Sequence, residues 1–443
     1  MEILLKKTKG FCPQCKRIVA ADVFAKNNEV YIRKMCQKDG YFEAPYFWQK
    51  IRHYKTIEAL YREKKRGQPI AQLVYINYKC NQSCNFCFVA VDEKIDFTPS
   101  IAEILNKIKN FKGQYIYLCG GEPTLRLDLF EIITKLKRKK FKVILMTNGK
   151  KLVDTNYVKK LEETGLDIVQ LQFDTLDDRQ YIILRKEELL DIKLKVIDNL
   201  AHTKILLQLW VMLVKGINDD QVEKIIRYAA RNSNIISTVF LIPAWRSGRF
   251  PAHQQLTKPE ILDIMQDKLN IGEDDFLTYT TFDFYISEIF NYFINKQLNR
   301  SSMCNLDCHL FVVKDSIIPL TKLIDLQKAN IYLKIIYETL KKTFGVKKWK
   351  IFLKLAYFFL FRQPLLNIKL IAFIFRTMIS FFDSFMKKQY PLNRHGSSFH
   401  VRVGSFVEIA NSDMDCIKHC NICSNYANNL LSHCFSEILK NRN

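Results

Sequence analysis

The sequence of 443 residues contains little glycine and proline, 14 and 11 residues. This excludes collagen-like and linker-like chains, and a hydrophobic content of 48% excludes wholesale disorder. No segment reaches 18 uncharged apolar residues, so we expect no simple membrane-spanning helix. The apolar run Ile3-Leu4-Leu5 is too short for the core of a signal peptide. We therefore expect a cytoplasmic protein with reduced cysteines.

Acidic residues are also scarce, since 45 Asp and Glu face 68 Lys and Arg, a net charge of +23. Such an excess favours an anionic partner, either nucleic acid or an acidic membrane surface. Cysteine is plentiful, with 13 residues. In a chain that is not exported, clustered cysteines indicate metal ligands or redox groups rather than disulfides.

From about residue 71, apolar runs alternate with segments of helical spacing. The runs that predict buried strands are 71–78, 114–119, 141–147, 167–173, 204–214 and 236–242. Leu125–Lys139 and Tyr157–Thr164 are two of the predicted helices between them. Six strand–helix units in succession predict an α/β fold, a partial (β/α)6 TIM-type barrel with a parallel sheet. Functional residues of such folds lie at the carboxyl ends of the strands.

The chain divides into five predicted regions, with a basic polar segment over 49–69 that is either a linker or a surface helix. Small cysteine-rich metal-binding pieces are expected at both ends, together with an amphipathic helical insertion. The regions are an N-terminal cysteine knuckle (1–48), the core barrel (70–255), a helical or mixed extension (256–343), amphipathic helices (344–390) and a C-terminal cysteine-rich segment (391–443).

Cys80, Cys84 and Cys87 follow the first predicted strand with the spacing C-x3-C-x2-C. Three thiolates on one tight loop can hold three irons of a [4Fe–4S] cluster and leave the fourth iron open to a substrate or cofactor. A three-thiolate zinc site is the alternative. Cys119, beside a Gly-Gly turn, is predicted to be a packed thiol.

This triplet, with an aromatic residue before its last cysteine, resembles the radical S-adenosylmethionine (SAM) superfamily. The resemblance implies that the open iron binds the amino and carboxylate groups of SAM. It further implies reductive cleavage to a 5′-deoxyadenosyl radical, which abstracts hydrogen from an unactivated C–H bond. An electron donor of the ferredoxin or flavodoxin type is then required. No other catalytic residue is assigned from the sequence.

Residues at the later strand ends agree with the resemblance. In the family, a stretch like the one after the second strand binds the methionine amino group, and the fifth strand end lies near adenine. Asn148 is alternatively a simple turn former, and Asp174 either binds the ribose or substrate or caps the next helix. The predicted cofactor-binding residues are Gly120, Gly121, Glu122, Pro123, Asn148, Asp174, Gly216 and Asn218.

Cys12, Cys15 and Cys36 resemble a small metal knuckle, which predicts iron or zinc near the N-terminus. A knuckle that has lost its metal is the alternative. Only three thiols are present, and Asp39 is a candidate fourth ligand. A hard oxygen beside three thiolates is an unfavourable combination.

The C-terminal cysteines repeat the C-x3-C-x2-C spacing, but no strand–helix series follows them. We therefore expect an auxiliary [4Fe–4S] cluster there, with a zinc site as the alternative. The residues concerned are Cys304, Cys308, Cys416, Cys420, Cys423 and Cys434.

Residues 344–386 are dense in Phe, Leu and Ile, with Asp383 as their only acid. Lys347, Lys350 and Lys354 share one helix face, which predicts amphipathic helices with basic groups near lipid phosphates. Core helices with lysines that reach the surface are the alternative. The favoured expectation is peripheral attachment to an anionic membrane surface at its cytoplasmic face.

The pattern around Cys12 and Cys36, and Leu171–Thr175 in the core, resemble archaeal tetraether lipid synthases and the radical SAM proteins of molybdenum cofactor biosynthesis. The first resemblance implies C–C bond formation on a lipid chain. The family usually has a histidine where Asp39 stands and a further cysteine-rich segment before the core, so the number of clusters and the substrate are in doubt. A peptide-modifying maturase with an auxiliary cluster is one alternative. A zinc-ribbon nucleic-acid binder is a distant one, so we expect no nucleic acid partner.

Overall fold

The computed structural model describes residues 2–62, 68–87, 97–244, 256–294, 298–299, 304–342, 398–404, 414, 422–426 and 429–432. The predicted amphipathic helices of 344–390 lie outside these residues, as do Cys416, Cys420 and Cys434. Within the described parts, no helix combines the length and the apolar character needed to cross a membrane.

The chain begins with a four-stranded antiparallel sheet followed by a helix. Its turns bring the end of the first strand and the end of the third strand to the same edge of the sheet. Valines and isoleucines of one sheet face pack on the helix, which buries His53, Tyr54, Ile57 and Tyr61, so the predicted linker or surface helix is a half-buried helix. These elements are β1 (Ile3–Phe11), β2 (Ile18–Lys26), β3 (Glu29–Cys36), β4 (Gly40–Lys50) and α1 (Ile51–Tyr61).

The core alternates strands and helices as the apolar runs predict. A short strand, β5 (Gln68–Pro69), precedes it. The core elements are β6 (Ala71–Asn77), α2 (Ile101–Lys107), β7 (Tyr115–Gly120), α3 (Leu129–Arg138), β8 (Lys142–Thr147), α4 (Thr155–Glu163), β9 (Ile168–Gln172), α5 (Asp178–Arg185), α6 (Leu190–Ala201), β10 (Leu206–Leu213), α7 (Val222–Arg231) and β11 (Ile236–Pro243).

Strands β6 to β11 lie side by side in chain order, and each pairs in parallel with the next. This confirms the predicted α/β class and its six strand–helix units. Parallel strands joined by crossover helices put all six carboxyl ends at one edge of the sheet. The sheet is open rather than closed among the described residues, because β6 and β11 each pair with further strands.

Those further strands come from parts of the chain beyond residue 255. β15 (Ser398–Gly404) pairs in parallel with β11 and antiparallel with β13 (Asn305–Val313), and β16 (Ile422–Tyr426) pairs in parallel with β6. The result is an eleven-stranded sheet. The elements are α8 (Lys258–Leu269), α9 (Glu273–Ile294), β12 (Leu298–Asn299), β13 (Asn305–Val313), β14 (Ser316–Pro319), α10 (Leu326–Lys342), β15 (Ser398–Gly404), β16 (Ile422–Tyr426) and β17 (Asn429–Ser432).

The two faces of this sheet differ in chemistry. On one face, fully buried side chains such as Val169, Leu209, Leu241 and Val401 pack with helix residues into the main apolar core. Because successive residues of a strand point to opposite faces, their neighbours in sequence lie on the other face. We call this second face the inner face; it carries polar and aromatic side chains.

Candidate active site at the strand ends

The cysteine loop, Cys80 to Cys87, directly follows β6. Cys84 is buried, and Cys80 and Cys87 are partly exposed; all are free thiols. Burial raises the pKa of the Cys80 thiol to about 12, and the Glu122 carboxylate adds to the effect. Three thiols on one short loop fit the donor set of a [4Fe–4S] cluster with one open iron, and loading must displace their protons.

The Gly-Gly turn after β7 packs against the backbone that leads into this loop. Gly121 N donates to Asn77 O at 2.9 Å, and Glu122 N donates to Lys79 O at 2.8 Å. A Cβ atom on Gly120 would lie 2.1 Å from Asn77 O, and one on Gly121 would lie 2.2 Å from Lys79 O. Glycine is therefore required here because two backbones meet without room for a side chain.

The Glu122 carboxylate is buried and links the ends of β7 and β8. It accepts hydrogen bonds from Thr124 N at 3.0 Å, Thr147 Oγ1 at 2.7 Å and Asn148 N at 2.8 Å. Pro123 opens one short helical turn beside it. The Glu122 carboxylate is therefore engaged with protein groups at two strand ends, and the cofactor contact of this stretch stays a prediction.

The end of β8 contacts the cysteine loop through side chains. Asn148 Nδ2 donates to Asn81 Oδ1 at 2.8 Å, and Lys150 Nζ donates to Asn81 O at 3.0 Å. Asn148 is thus more than a turn former, because it holds the loop that carries the cysteines.

Asp174, after β9, is fully buried, and its carboxylate is satisfied by protein groups. Arg185 Nε donates to Asp174 Oδ2 at 2.7 Å, and Met212 N donates to Asp174 Oδ1 at 3.0 Å. The N-cap of α5 is Asp177, whose side chain accepts from Arg179 N. The prediction that Asp174 caps the next helix is therefore wrong.

Arg185 also contacts the cysteine loop. Its Nη1 donates to Phe86 O at 3.0 Å, and Cys84 lies near enough to influence the guanidinium charge. Burial opposes its charge, but Asp174 and Cys84 outweigh burial and raise the pKa of Arg185 above its ordinary value. A permanent positive charge therefore lies beside a predicted cluster ligand.

Lys193 of α6 is a second buried cation. Its Nζ donates to Asn148 O at 2.6 Å and to Gln172 Oε1 at 3.0 Å. Burial lowers its pKa to about 7, although the charge of Asp174 opposes this. Gln172 Nε2 donates in turn to Asp174. Arg185 and Lys193 belong to the sequence pattern that resembles tetraether lipid synthases, but no role was predicted for either; each is a basic residue on the apolar face of a helix.

The loop after β10 is shaped by Asn218. Its Nδ2 donates to Asp174 O and Met212 O, both at 2.8 Å, and its Oδ1 accepts from Val214 N at 2.8 Å. Gly216 has φ +73° and open space around its Cα. Asn218 is therefore engaged with the protein, and the adenine contact at this strand end stays a prediction.

A row of side chains crosses the inner face at the level of the site. Gln172, Trp210, Phe240, Arg402 and Asp307 pair in register on β9, β10, β11, β15 and β13. Trp210 stacks on Phe240 with ring centroids 5.5 Å apart, and the Arg402 guanidinium lies 5.5 Å from the Phe240 centroid. Arg402 Nε donates to Asp307 Oδ1 at 2.6 Å. We call these five residues the transverse row.

The transverse row adjoins the predicted cofactor-binding residues, because Gln172 contacts Lys193 and Asp174. Sequence reasoning missed it, since two of its members lie on β13 and β15, which were not predicted to join this sheet. An isolated tryptophan in the fifth apolar run was the only local signal.

The remaining described cysteines occupy different surroundings. Cys308 is fully buried in the main apolar core, and burial raises the pKa of its thiol well above the ordinary value. Cys304 is partly exposed and packs against the same core, while Cys119 is buried on β7. These are surroundings of packed thiols. Of the four C-terminal cysteines, only Cys423 falls within a described strand, so the auxiliary cluster stays a prediction.

At the edge of the N-terminal sheet, Cys12, Cys15, Cys36 and Asp39 come together. One ligand atom from each lies within 4.8 Å of the others, and no other such group of three or more potential ligands occurs in the described parts of the chain. The N-terminal knuckle is thus assembled as a possible metal site.

Comparisons with known proteins match both regions. A family model described as the radical SAM superfamily matches residues 74–229, and one described as the HMPTM N-terminal zinc ribbon domain matches residues 4–48. A solved structure of SuiB from Streptococcus suis bound to S-adenosylmethionine is 17% identical with a TM-score of 0.40, covering 46% of this chain and 48% of that one.

Two curated relatives extend the match. A 7,8-dihydro-6-hydroxymethylpterin dimethyltransferase from Methanocaldococcus jannaschii is 30% identical over 76% of this chain and 74% of its own length. A probable GTP 3′,8-cyclase from Pyrococcus horikoshii is 33% identical over 40% of this chain and 57% of its own length. The first of these alignments therefore spans about three quarters of each protein. This chain belongs to the radical SAM superfamily.

Proposed function

We propose that this radical SAM enzyme functionalises an unactivated C–H carbon of a planar nitrogen heterocycle bound on the inner face. Superfamily membership implies a [4Fe–4S] cluster, SAM and an electron donor. When bound, these supply a carbon-centred radical able to abstract hydrogen. We assign the cluster to Cys80, Cys84 and Cys87 and the SAM site to the adjoining strand ends.

The chain's own residues would fix the geometry of that chemistry. The turn Gly120-Gly121 and Asn148 hold the cysteine loop from one side, and Arg185 holds it from the other. A cofactor bound there would lie between the loop and the transverse row. Such placement is the protein's contribution in cofactor enzymes, together with the exclusion of side reactions.

The transverse row is the observation that carries the substrate class. It offers the stacked rings of Trp210 and Phe240 beside the paired charges of Arg402 and Asp307. Deeper on the same face, Gln170 is buried, and its Oε1 accepts no hydrogen bond within the described residues. Buried polar atoms cost free energy unless they are paired. A planar heterocycle can stack and pair with them, whereas a hydrocarbon chain cannot.

The relatives support the same class, because the names of the two enzymes refer to a pterin and to GTP. Each is a heterocyclic compound. The lipid substrate and the anionic membrane partner predicted from the sequence depend on residues 344–390, outside the described residues. They stay predictions, which sedimentation of the purified protein with anionic and neutral liposomes at low salt tests directly.

The reaction class is tested by anaerobic reconstitution with iron and sulfide, followed by dithionite reduction in the presence of SAM. We expect 5′-deoxyadenosine from the unaltered protein and from Cys119→Ala, whose buried thiol lies outside the loop, but none from Cys84→Ala. Equal cleavage in all three proteins would contradict the cluster assignment.

The substrate class is tested by adding a reduced pterin or a long-chain phospholipid, each carrying deuterium on its C–H carbons, to the same assay. We expect only the pterin to raise 5′-deoxyadenosine above its substrate-free level and to pass deuterium to the 5′-deoxyadenosine formed. Stimulation by the phospholipid alone would overturn the heterocycle proposal and favour the lipid substrate.

A further inference from the structure

We propose that Asp39 is the fourth ligand of a zinc ion in the N-terminal knuckle, giving three thiolates and one carboxylate. The zinc ribbon match covers residues 4–48 but assigns no ligand. The chain has no fourth cysteine in this region and no histidine before His53. The turn that carries Cys36 places Asp39 where a fourth ligand is needed.

The distances fit a tetrahedral zinc site. With Zn–S bonds of about 2.3 Å and a Zn–O bond of about 2.0 Å, the edges of the tetrahedron are roughly 3.8 Å between sulfurs and roughly 3.5 Å between sulfur and oxygen. The Cys15 and Cys36 sulfurs lie 3.6 Å apart. Asp39 Oδ2 lies 3.1 Å from Cys12 Sγ and 3.3 Å from Cys36 Sγ. One small ion can therefore contact all four groups with little movement.

The backbone holds these ligands on two tight turns. Lys16 N donates to Cys12 O at 3.1 Å, and Cys12 N donates to Arg17 O at 2.8 Å, which closes the first turn. Lys16 has φ +59° and Gly40 has φ +84°, left-handed conformations that let each turn reverse sharply. Such turns point their side chains at a common centre, so the site is formed by the fold.

The donor set selects zinc over the alternatives. A disulfide between Cys15 and Cys36 would need sulfurs about 2.05 Å apart, far closer than the observed 3.6 Å. Structural zinc takes four ligands and accepts thiolates and a carboxylate together, which is the set that these four residues supply. Three thiolates and a carboxylate leave a formal charge of about −2 around the ion, the same as four thiolates. Lys16, Arg17 and Lys38 lie on the same two turns and offset that charge.

Zinc K-edge absorption of the full-length protein tests the proposal without any measurement of SAM cleavage. A Cys12→Ser/Cys15→Ser double variant should lose the zinc of this site, so the difference between its spectrum and that of the unaltered protein belongs to this site. We expect three sulfurs at about 2.3 Å and one oxygen near 2.0 Å. Asp39→Cys should raise the sulfur count from three to four, and Asp39→His should replace the oxygen by nitrogen.

Glu43→Cys is the matched control, because it adds a cysteine on β4 outside the cluster; it should leave the sulfur count at three. Four sulfurs in the unaltered protein would overturn the proposal, as would an unchanged spectrum in both Asp39 variants. Loss of iron rather than zinc from the double variant would do the same. Cleavage of SAM is measured in a separate assay. A wrong ligand assignment for the zinc can therefore be told apart from a wrong proposal for the reaction.

Discussion

Arg185 joins the end of β9 to the cysteine loop, since it donates to Asp174 Oδ2 at 2.7 Å and to Phe86 O at 3.0 Å. The Arg185 side chain is 7% exposed and the Asp174 side chain is fully buried. One side chain therefore ties the cysteine loop to the neighbouring strand end. The loop has no regular structure of its own, so it depends on such contacts for its position.

Arg185→Ala should destabilise the protein strongly, because it leaves the Asp174 carboxylate buried without its cation. Breaking one partner of a buried ion pair costs about 3–5 kcal/mol. Arg179→Ala, on the same helix, removes an exposed pair with Asp177 and should cost less than about 1 kcal/mol. Anaerobic urea unfolding measures the free energy of unfolding of both variants. Equal losses of stability would show that the buried Arg185–Asp174 pair contributes no more than the exposed pair.

Lys193 should give the stability of the protein a distinct pH dependence. Its folded pKa is about 7, against an ordinary value of 10.5, so between these pH values the unfolded chain binds one more proton. Its contribution to the free energy of unfolding should therefore rise with pH across this window, by at most about 1.4 kcal/mol per pH unit. Below pH 7 both states are protonated, and the contribution is constant.

The measurement compares urea unfolding of the unaltered protein and Lys193→Met from pH 6 to pH 9.5. As pH rises, the free energy of unfolding of the unaltered protein should rise relative to that of Lys193→Met. Lys195→Met, an exposed lysine on the same helix, should follow the unaltered protein at every pH. A constant difference for Lys193→Met would contradict the lowered pKa.

Gly121→Ala should prevent the cysteine loop from holding its cluster. The added Cβ would lie 2.2 Å from Lys79 O, so the backbone entering Cys80 must move. We expect a clear loss of iron and sulfide per chain after reconstitution. Gly165→Ala is the control: φ there is +77°, but the nearest atom would be 3.6 Å away, so it should cost about 1–2 kcal/mol of stability and no iron.

Trp210→Ala should weaken substrate binding while leaving cleavage of SAM in the absence of substrate intact. Loss of one stacking ring should raise KM for the heterocycle by up to about tenfold. Trp210→Phe keeps a ring and should show a smaller rise. Steady-state assays at varied pterin concentration decide this, and an unchanged KM in Trp210→Ala would remove the transverse row from the substrate site.

The strands of the core could be predicted because each is a short, largely apolar run. The run 141–147, for example, corresponds to β8 over Lys142–Thr147. The N-terminal sheet was not predicted, since its strands are half exposed and mix polar with apolar residues. Pairing of β13 with β15 joins residues about ninety positions apart, and no local pattern reports such a contact.

The residues of the candidate site could likewise be predicted where the signal is local, and were missed where it is not. Spacing alone predicted the cysteine loop, and position after a strand predicted the Gly-Gly turn, because both are local features. Arg185 and Lys193 lie inside helices, where a basic residue ordinarily faces solvent. Only the packing of α5 and α6 on the sheet turns these side chains inward, so tertiary structure had to reveal them.

Because β15 lies between β11 and β13, these two strands can be joined in one sheet only after β15 has been synthesised. Both neighbours leave the ribosome well before residue 398, so each keeps an unpaired edge until β15 has been synthesised. Open edges of this kind invite pairing with another chain. A ribosome that stalls before this point would release a molecule without Arg402 and with two exposed edges, a product suited to aggregation rather than to catalysis.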